Sequence, residues 1–340
     1  MLYLPSIMQK DFDFVAIGDT TTDAFIRLKD ASVHCDIDKE NCQLCVGFGE
    51  KIPYEFVKVV RAVGNSANAA VSASRLGLKS AIVSNLGDDQ NGKECLEELG
   101  KNNVSTYFTK IHTGKNTNYH YVLWYEDDRT ILIKHEDYDY SFPKEVGSPK
   151  WIYLSSIGNG EKAFSFHNEV AEHLAKNPEV KLAFQPGTFQ INAGYEKLKD
   201  IYNRTEIFFV NVGEAKKIIG KDEDDIKKLL AAVHSLGPKI VVITDGPRGA
   251  YVYDGNNVWK MPKYPDPKPP LERTGAGDSF ASTFVSALAL GLTIEEAMTW
   301  APINSMSVVQ YVGAQEGLLT QEKLKEYLAN APADYKPIKI

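Results

Sequence analysis

The chain has 340 residues, 43% of them hydrophobic and 24% charged, an ordinary globular composition with ample material for a large core. A formal net charge of −7 and no long basic run leave no footprint for displacing counterions from nucleic-acid phosphates, so no nucleic-acid partner is expected. No run of about 18 apolar residues occurs, and residues 1–11 lack the basic, apolar and small-residue succession of a signal peptide, so no membrane span and a cytoplasmic location are expected.

In chain order, residues 13–18 form a short apolar run ending at Gly18, which suits a buried strand, and 19–23 form a polar loop at its carboxyl end. Residues 24–63 alternate around a polar centre and read as a hairpin or small sheet standing off the main body, with 34–51 as its tip. A helix is expected over 65–76, stopped by Gly77, then a strand over 80–84 and a helix over 92–99 closed by Gly100. Residues 119–124 and 129–134 make a hairpin around 126–128. From Trp151 onward, strands (152–154, 181–184, 207–210, 240–244) alternate with helices (163–175, 195–201, 214–219, 222–236).

That alternation implies right-handed crossovers and an α/β fold with a mainly parallel sheet. Ligands of such sheets sit beyond the carboxyl ends of the strands. Asp19, Asp23, Asn211, Glu214, Asp245 and Gly246 all fall there.

Three of the four cysteines, Cys35, Cys42 and Cys45, follow His34 closely, and the four side chains could supply metal ligands. A structural zinc site usually pairs two short-spaced couples across a longer gap, and adjacent His34 and Cys35 would diverge along a strand. The spacing favours free thiols or one local disulfide in a hairpin loop.

Thr274-Gly275-Ala276-Gly277-Asp278 precedes an apolar helix over 279–290. The glycines allow a tight turn with close approach of an anion, and the helix start offers unpaired N–H groups and a positive dipole end. Asp278 could simply cap the helix, but capping needs no flanking glycines, and beside a transferring phosphoryl group a carboxylate can take the proton of an attacking hydroxyl. Upstream, the strand 240–244 runs into Asp245-Gly246-Pro247-Arg248-Gly249, either a second phosphate approach or a plain turn. Asn211 and Glu214, three apart at a helix start, could hold a hydrated magnesium or could cap and complement the helix.

These segments in this order resemble the ribokinase-like, or PfkB, family of carbohydrate and nucleoside kinases. The likeness rests on Thr274 to Asp278, on Gly64-Asn65-Ser66-Ala67-Asn68-Ala69-Ala70 with Arg75-Leu76-Gly77, and on several shorter ordered matches, and it covers roughly residues 12–320. The resemblance implies a three-layer α/β/α fold with a small β-sheet lid: core 1–24, 63–114 and 136–340, lid 25–62 and 115–135. It implies transfer of the ATP γ-phosphoryl group, with Mg²⁺, to a primary hydroxyl of a ribose- or fructose-like sugar, or alternatively of a nucleoside. By that likeness Asp278 is the base, and Gly275, Ala276 and Gly277 form the anion hole. Asp23, Gly64 and Asn68 bind substrate. Asn211, Thr244, Gly246, Gly249 and Asn304 bind nucleotide, and Glu214 serves magnesium through water.

Three departures stand out. Val63 replaces the first of a glycine pair, which is expected to stiffen or shift a lid hinge. Glu272 stands where an Asp that helps bind K⁺ is usual, which leaves potassium activation open. Gln185-Pro186-Gly187-Thr188 replaces a more typical Asp-Pro-Asn. Kinases for vitamin-like pyrimidine or pyridoxal substrates share the C-terminal turn but generally lack the lid and the signature at 64–68. A non-catalytic relative would not need Asp278 together with the two glycines before it and Glu214. The exposed edges of a protruding lid suggest a homodimer through it.

Overall fold

Short apolar runs buried on both faces build the centre of the molecule, among them Phe14–Ile17, Trp151–Leu154 and Lys181–Phe184. With no wet side, such strands need no polar alternation. The structure is a computed structural model that describes residues 11–35, 42–126 and 128–340.

Ten strands form the main sheet. Phe14–Ile17 lies in parallel between Ser80–Gly87 and Trp151–Leu154, and Thr109–His112 extends the sheet beyond Ser80–Gly87. On the other side the parallel order runs through Lys181–Phe184 and Thr205–Asn211 to Ile240–Thr244. Ala250–Tyr253, Val258–Met261 and Ile338–Lys339 complete that side antiparallel.

Alternate residues of each central strand enter opposite layers. Phe14 and Ala16 pack with the helices Asn65–Arg75, Ala276–Ala289 and Ile294–Val308, whereas Val15 and Ile17 pack with Glu161–Lys176, Tyr195–Arg204 and Ile226–His234. The result is the expected three-layer arrangement. The strand order reverses beside Phe14–Ile17, which opens a crevice at the carboxyl ends there.

A separate four-stranded sheet is built by Thr21–Leu28, antiparallel to Tyr54–Val63 and parallel to Asn118–Tyr125, which pairs antiparallel with Asp128–Leu132. Thr21–Leu28 begins three residues earlier than the sequence suggested, so Asp23 is a strand residue rather than part of a loop. Left-handed backbone occurs at Ala62 (φ 54°) and Gly64 (φ 106°), on either side of Val63. The outer tip pairs Ser32–His34 with Gln43–Cys45, and a disulfide joins Cys35 to Cys42, one of the two arrangements left open by the cysteine spacing. Cys45 and Cys95 are free thiols.

The helix expected over 222–236 starts only at Ile226, because Asp225 accepts the N–H of Lys227 at 2.9 Å and caps it there. Ile294–Val308 was not anticipated: it is buried nearly all round and contains Pro302, so it carries no clean amphipathic period. Among the described residues no helix is long and apolar enough to cross a membrane.

Candidate active site

The glycine turn before Ala276–Ala289 is required twice over. Gly275 has φ 80°, and a Cβ there would meet the Ala314 Cβ at 2.3 Å. Ser279 N–H donates to Gly275 O at 2.8 Å, so the N–H groups of Gly277 and Asp278 precede the helical ladder and face outward at the positive end of the dipole. Glu272 braces the turn from behind. It is buried, its Oε2 accepts from Thr274 N–H (2.8 Å), and its Oε1 accepts from Gly313 N–H (3.0 Å).

Three amides converge on the Asp278 carboxylate. Asn65 Nδ2 donates to Oδ1 at 2.8 Å, Gln185 Nε2 to Oδ1 at 3.2 Å, and Asn68 Nδ2 to Oδ2 at 2.8 Å. Each of the last two is oriented by a further contact. The Tyr153 hydroxyl donates to Gln185 Oε1, and Gln315 Nε2 donates to Asn68 Oδ1 at 3.0 Å. Burial, and then the charge on Asp278, raise the Tyr153 phenol well above its ordinary range, so it stays a donor. Burial pushes Asp278 above the usual carboxylate value, the Asn68, Gln185 and Asn65 hydrogen bonds pull it back, and the Asp23 charge pushes it further up. A carboxylate so placed is a stronger proton acceptor than a solvated one, and the three amides offset part of the burial.

Asp23 and Gly64 lie on the sheet side of this carboxylate. Asp23 is buried, with His120 Nδ1 3.3 Å from its Oδ1. Gly64 sits against the chain at Asp19, where a Cβ would meet Asp19 O at 2.7 Å. Asp19 itself binds Tyr140 Oη (2.9 Å) and His135 Nδ1 (3.1 Å). The rings of His120, His135 and Phe189 follow one another at 5.3 and 5.5 Å and form a wall beside the two carboxylates.

On the other side of the turn is a cleft of about 320 Å³ lined by Thr244, Gly246, Gly249, Ala276 and Gly277, with Tyr264, Phe280 and Met306 among its apolar surfaces. Asn304 is outside that lining. It is fully buried, and its side chain is occupied by Thr283 Oγ1 (2.7 Å) and Leu319 N–H (2.9 Å), while its neighbours Pro302 and Ser305 reach the cleft. Asn211 and Glu214 form a reciprocal capping box, each side chain accepting the other's N–H at 2.9 Å. Burial raises the Glu214 carboxyl above its ordinary value. No group of three His, Cys, Asp or Glu side chains among the described residues could hold a metal by itself. An ion here would have to be kept mainly by phosphate and water.

Residues 31–321 match the profile described as pfkB family carbohydrate kinase. The chain belongs to that family. This pfkB kinase is 27% identical over 263 residues to an ATP-dependent 6-phosphofructokinase of Thermoanaerobacterium thermosaccharolyticum, covering 74% of the chain and 80% of the relative. It is 26% identical over 330 residues to a nucleoside kinase of Methanothermobacter thermautotrophicus, covering 95% and 97%. The structure of Arabidopsis thaliana ribokinase complexed with ribose and ATP superposes with a TM-score of 0.77 at 20% identity, over 94% of this chain and 99% of that one. The fold is therefore ribokinase-like, and the activity is that of a sugar or nucleoside kinase.

Several residues of the site in this pfkB kinase carry little local signal in the sequence. Gln185 stands out there only as a departure, and Tyr153, Gln315, His120 and His135 belong to no motif. Their partners lie far away in the chain, and the one local hint was the unusual Gln185-Pro186-Gly187-Thr188 itself.

Proposed function

We propose that the protein transfers the γ-phosphoryl group of ATP to a primary hydroxyl of a ribose- or fructose-like sugar, with Asp278 as general base. The observation that carries this reading is the amide-held Asp278 carboxylate between the glycine turn and buried Asp23. The hydroxyl to be phosphorylated approaches Asp278, which takes its proton as the oxygen attacks phosphorus. The N–H groups of Gly277 and Asp278 receive the charge that grows on the transferring oxygens. The cleft lined by Thr244, Gly246, Gly249 and Tyr264 holds the nucleotide. Magnesium, when bound, neutralises phosphate charge, with Glu214 addressing it through water.

A nucleoside acceptor is the second reading. The rings of His120, His135 and Phe189 favour it by offering an aromatic surface beside Asp19 and Asp23 against which a base can pack. Mixing the protein with MgATP and ribose, fructose, adenosine or cytidine tests both. ADP release above the Asp278→Ala background is expected with one of them, and none above it removes the kinase reading.

Potassium is not required in this account, because Glu272 already ties the turn to Gly313 by direct hydrogen bonds. The four-stranded sheet acts as a lid that excludes water during transfer. Its edge strands Tyr54–Val63 and Asp128–Leu132 expose Tyr54, Phe56, Leu132 and neighbouring apolar side chains, which supports a homodimer through this sheet. A monomeric mass in solution would remove that last point.

A further inference from the structure

Three buried polar atoms of the small sheet have no hydrogen-bond partner within the protein: Asp23 Oδ1, His120 Nε2 and Asn118 Nδ2. They are neighbours by register. Asp23 pairs with His120 and Thr21 with Asn118, and residues two apart on a strand share a face. Ten such atoms occur among the described residues, and it is the gathering of three on one patch that points to a ligand.

Their chemistry says what kind. Asn118 Oδ1 accepts the Glu136 N–H at 2.8 Å, which fixes the amide and leaves Nδ2 as a donor. Asp23 Oδ1 is an acceptor, and His120 Nδ1, at 3.3 Å, lies at ion-pair distance from it without hydrogen-bond geometry. His120 Nε2 donates or accepts according to the ring's tautomer. Hydroxyl groups, which do both, satisfy all three atoms.

A phosphate or carboxylate on the acceptor would meet Asp19 and Asp23 and would need free cations. Every Lys and Arg in the four strands of this sheet is already engaged. Arg27 lies over the Trp124 ring and donates to Glu126 O, Lys58 pairs with Glu316, Arg61 with Glu94, and Arg129 with Asp128.

We propose that Asn118 and His120, together with Asp23, read hydroxyl groups of the acceptor, and that the acceptor is a neutral, unphosphorylated polyhydroxy compound. This rests on the kinase reading above and narrows it away from phosphorylated sugars.

The test measures ADP release by the full chain with MgATP and paired acceptors: fructose against fructose 6-phosphate, ribose against 2-deoxyribose, adenosine against 2′-deoxyadenosine. The unphosphorylated member is expected to be preferred, and in the pair that is turned over the missing hydroxyl is expected to cost about 10² or more in kcat/KM. His120→Ala should raise the acceptor KM roughly tenfold, leave the KM for ATP unchanged and shrink the discrimination against the deoxy analogue. His120→Gln, which keeps a polar terminus, should recover part of it. Preference for fructose 6-phosphate over fructose overturns the inference while leaving the kinase reading intact, and so does undiminished discrimination in His120→Ala. The wild-type comparison needs no variant to fold. ADP release with none of the acceptors removes the kinase reading and this inference with it.

Discussion

Gln185 Nε2 donates to Asp278 Oδ1 at 3.2 Å, and the Tyr153 hydroxyl, donating to the other end of the same amide, fixes which end faces the carboxylate. Asn68 is held the same way by Gln315. Donors to a carboxylate stabilise its anion, so this pair of oriented amides opposes the burial that raises the pKa of the proposed base.

Removing one of these donors should therefore move the acid limb of the rate profile. Gln185→Ala is expected to shift the lower apparent pKa of kcat/KM upward by about one pH unit. Gln185→Glu, which sets a second negative charge beside Asp278, should shift it further. The pH dependence of kcat/KM from pH 4.5 to 8 checks both, and an unmoved acid limb would mean that Gln185 only packs.

Glu272 links two loops of the site through its two oxygens. Turnover is expected to be the same in potassium and in choline chloride at equal ionic strength. Glu272→Ala leaves two N–H groups without acceptors and should destabilise the fold by about 1–3 kcal/mol, read as a lowered urea midpoint. A strong activation of the wild type by potassium would contradict this role for Glu272.

Glu214→Gln separates capping from metal binding. Gln also completes a capping box, so the helix Val212–Ile219 should stay formed, while the lost charge should raise the magnesium concentration needed for half-maximal rate. An unchanged magnesium titration would reduce Glu214 to a cap.

His167 sets a pH limit on stability. It is buried, its Nδ1 donates to Ala163 O at 2.6 Å, and burial lowers its pKa to about 4. The unfolded chain takes up this proton near pH 6.5, but the folded chain does not until about pH 4. Stability is thus complete above pH 6.5 and is lost by up to about 1.4 kcal/mol per pH unit as pH falls towards 4. Urea midpoints measured from pH 7 to 4 should fall more steeply for the wild type than for His167→Gln, and parallel curves would refute the assignment.

The turn at Gly275, the helix after Gly64 and the strand–helix rhythm from Trp151 onward were legible because each is specified locally, by a glycine, a stop or an apolar run. The support of the site was not. Gln185 and Asp278 lie 93 positions apart and Gln315 and Asn68 lie 247 apart, so no spacing rule connects them. Asn211 and Glu214 show a different limit. Their spacing suited a cap and a metal site equally, and the capping box now observed does not remove the second role, since Glu214 accepts the Asn211 N–H through Oε2 and has a second oxygen. Asn304 matched a nucleotide-binding position in sequence, yet its side chain is spent on Thr283 and Leu319, a buried tie that only the packing of Ile294–Val308 reveals.

The central claim is that Asp278 takes the proton of the acceptor hydroxyl, and Asp278→Asn tests it most directly. ADP release at saturating MgATP and acceptor, measured beside the Kd for MgATP, should show turnover reduced by about 10² or more with nucleotide binding retained. Turnover equal to that of the wild type would contradict the account and leave Asp278 as no more than the first-turn acid of the helix Ala276–Ala289.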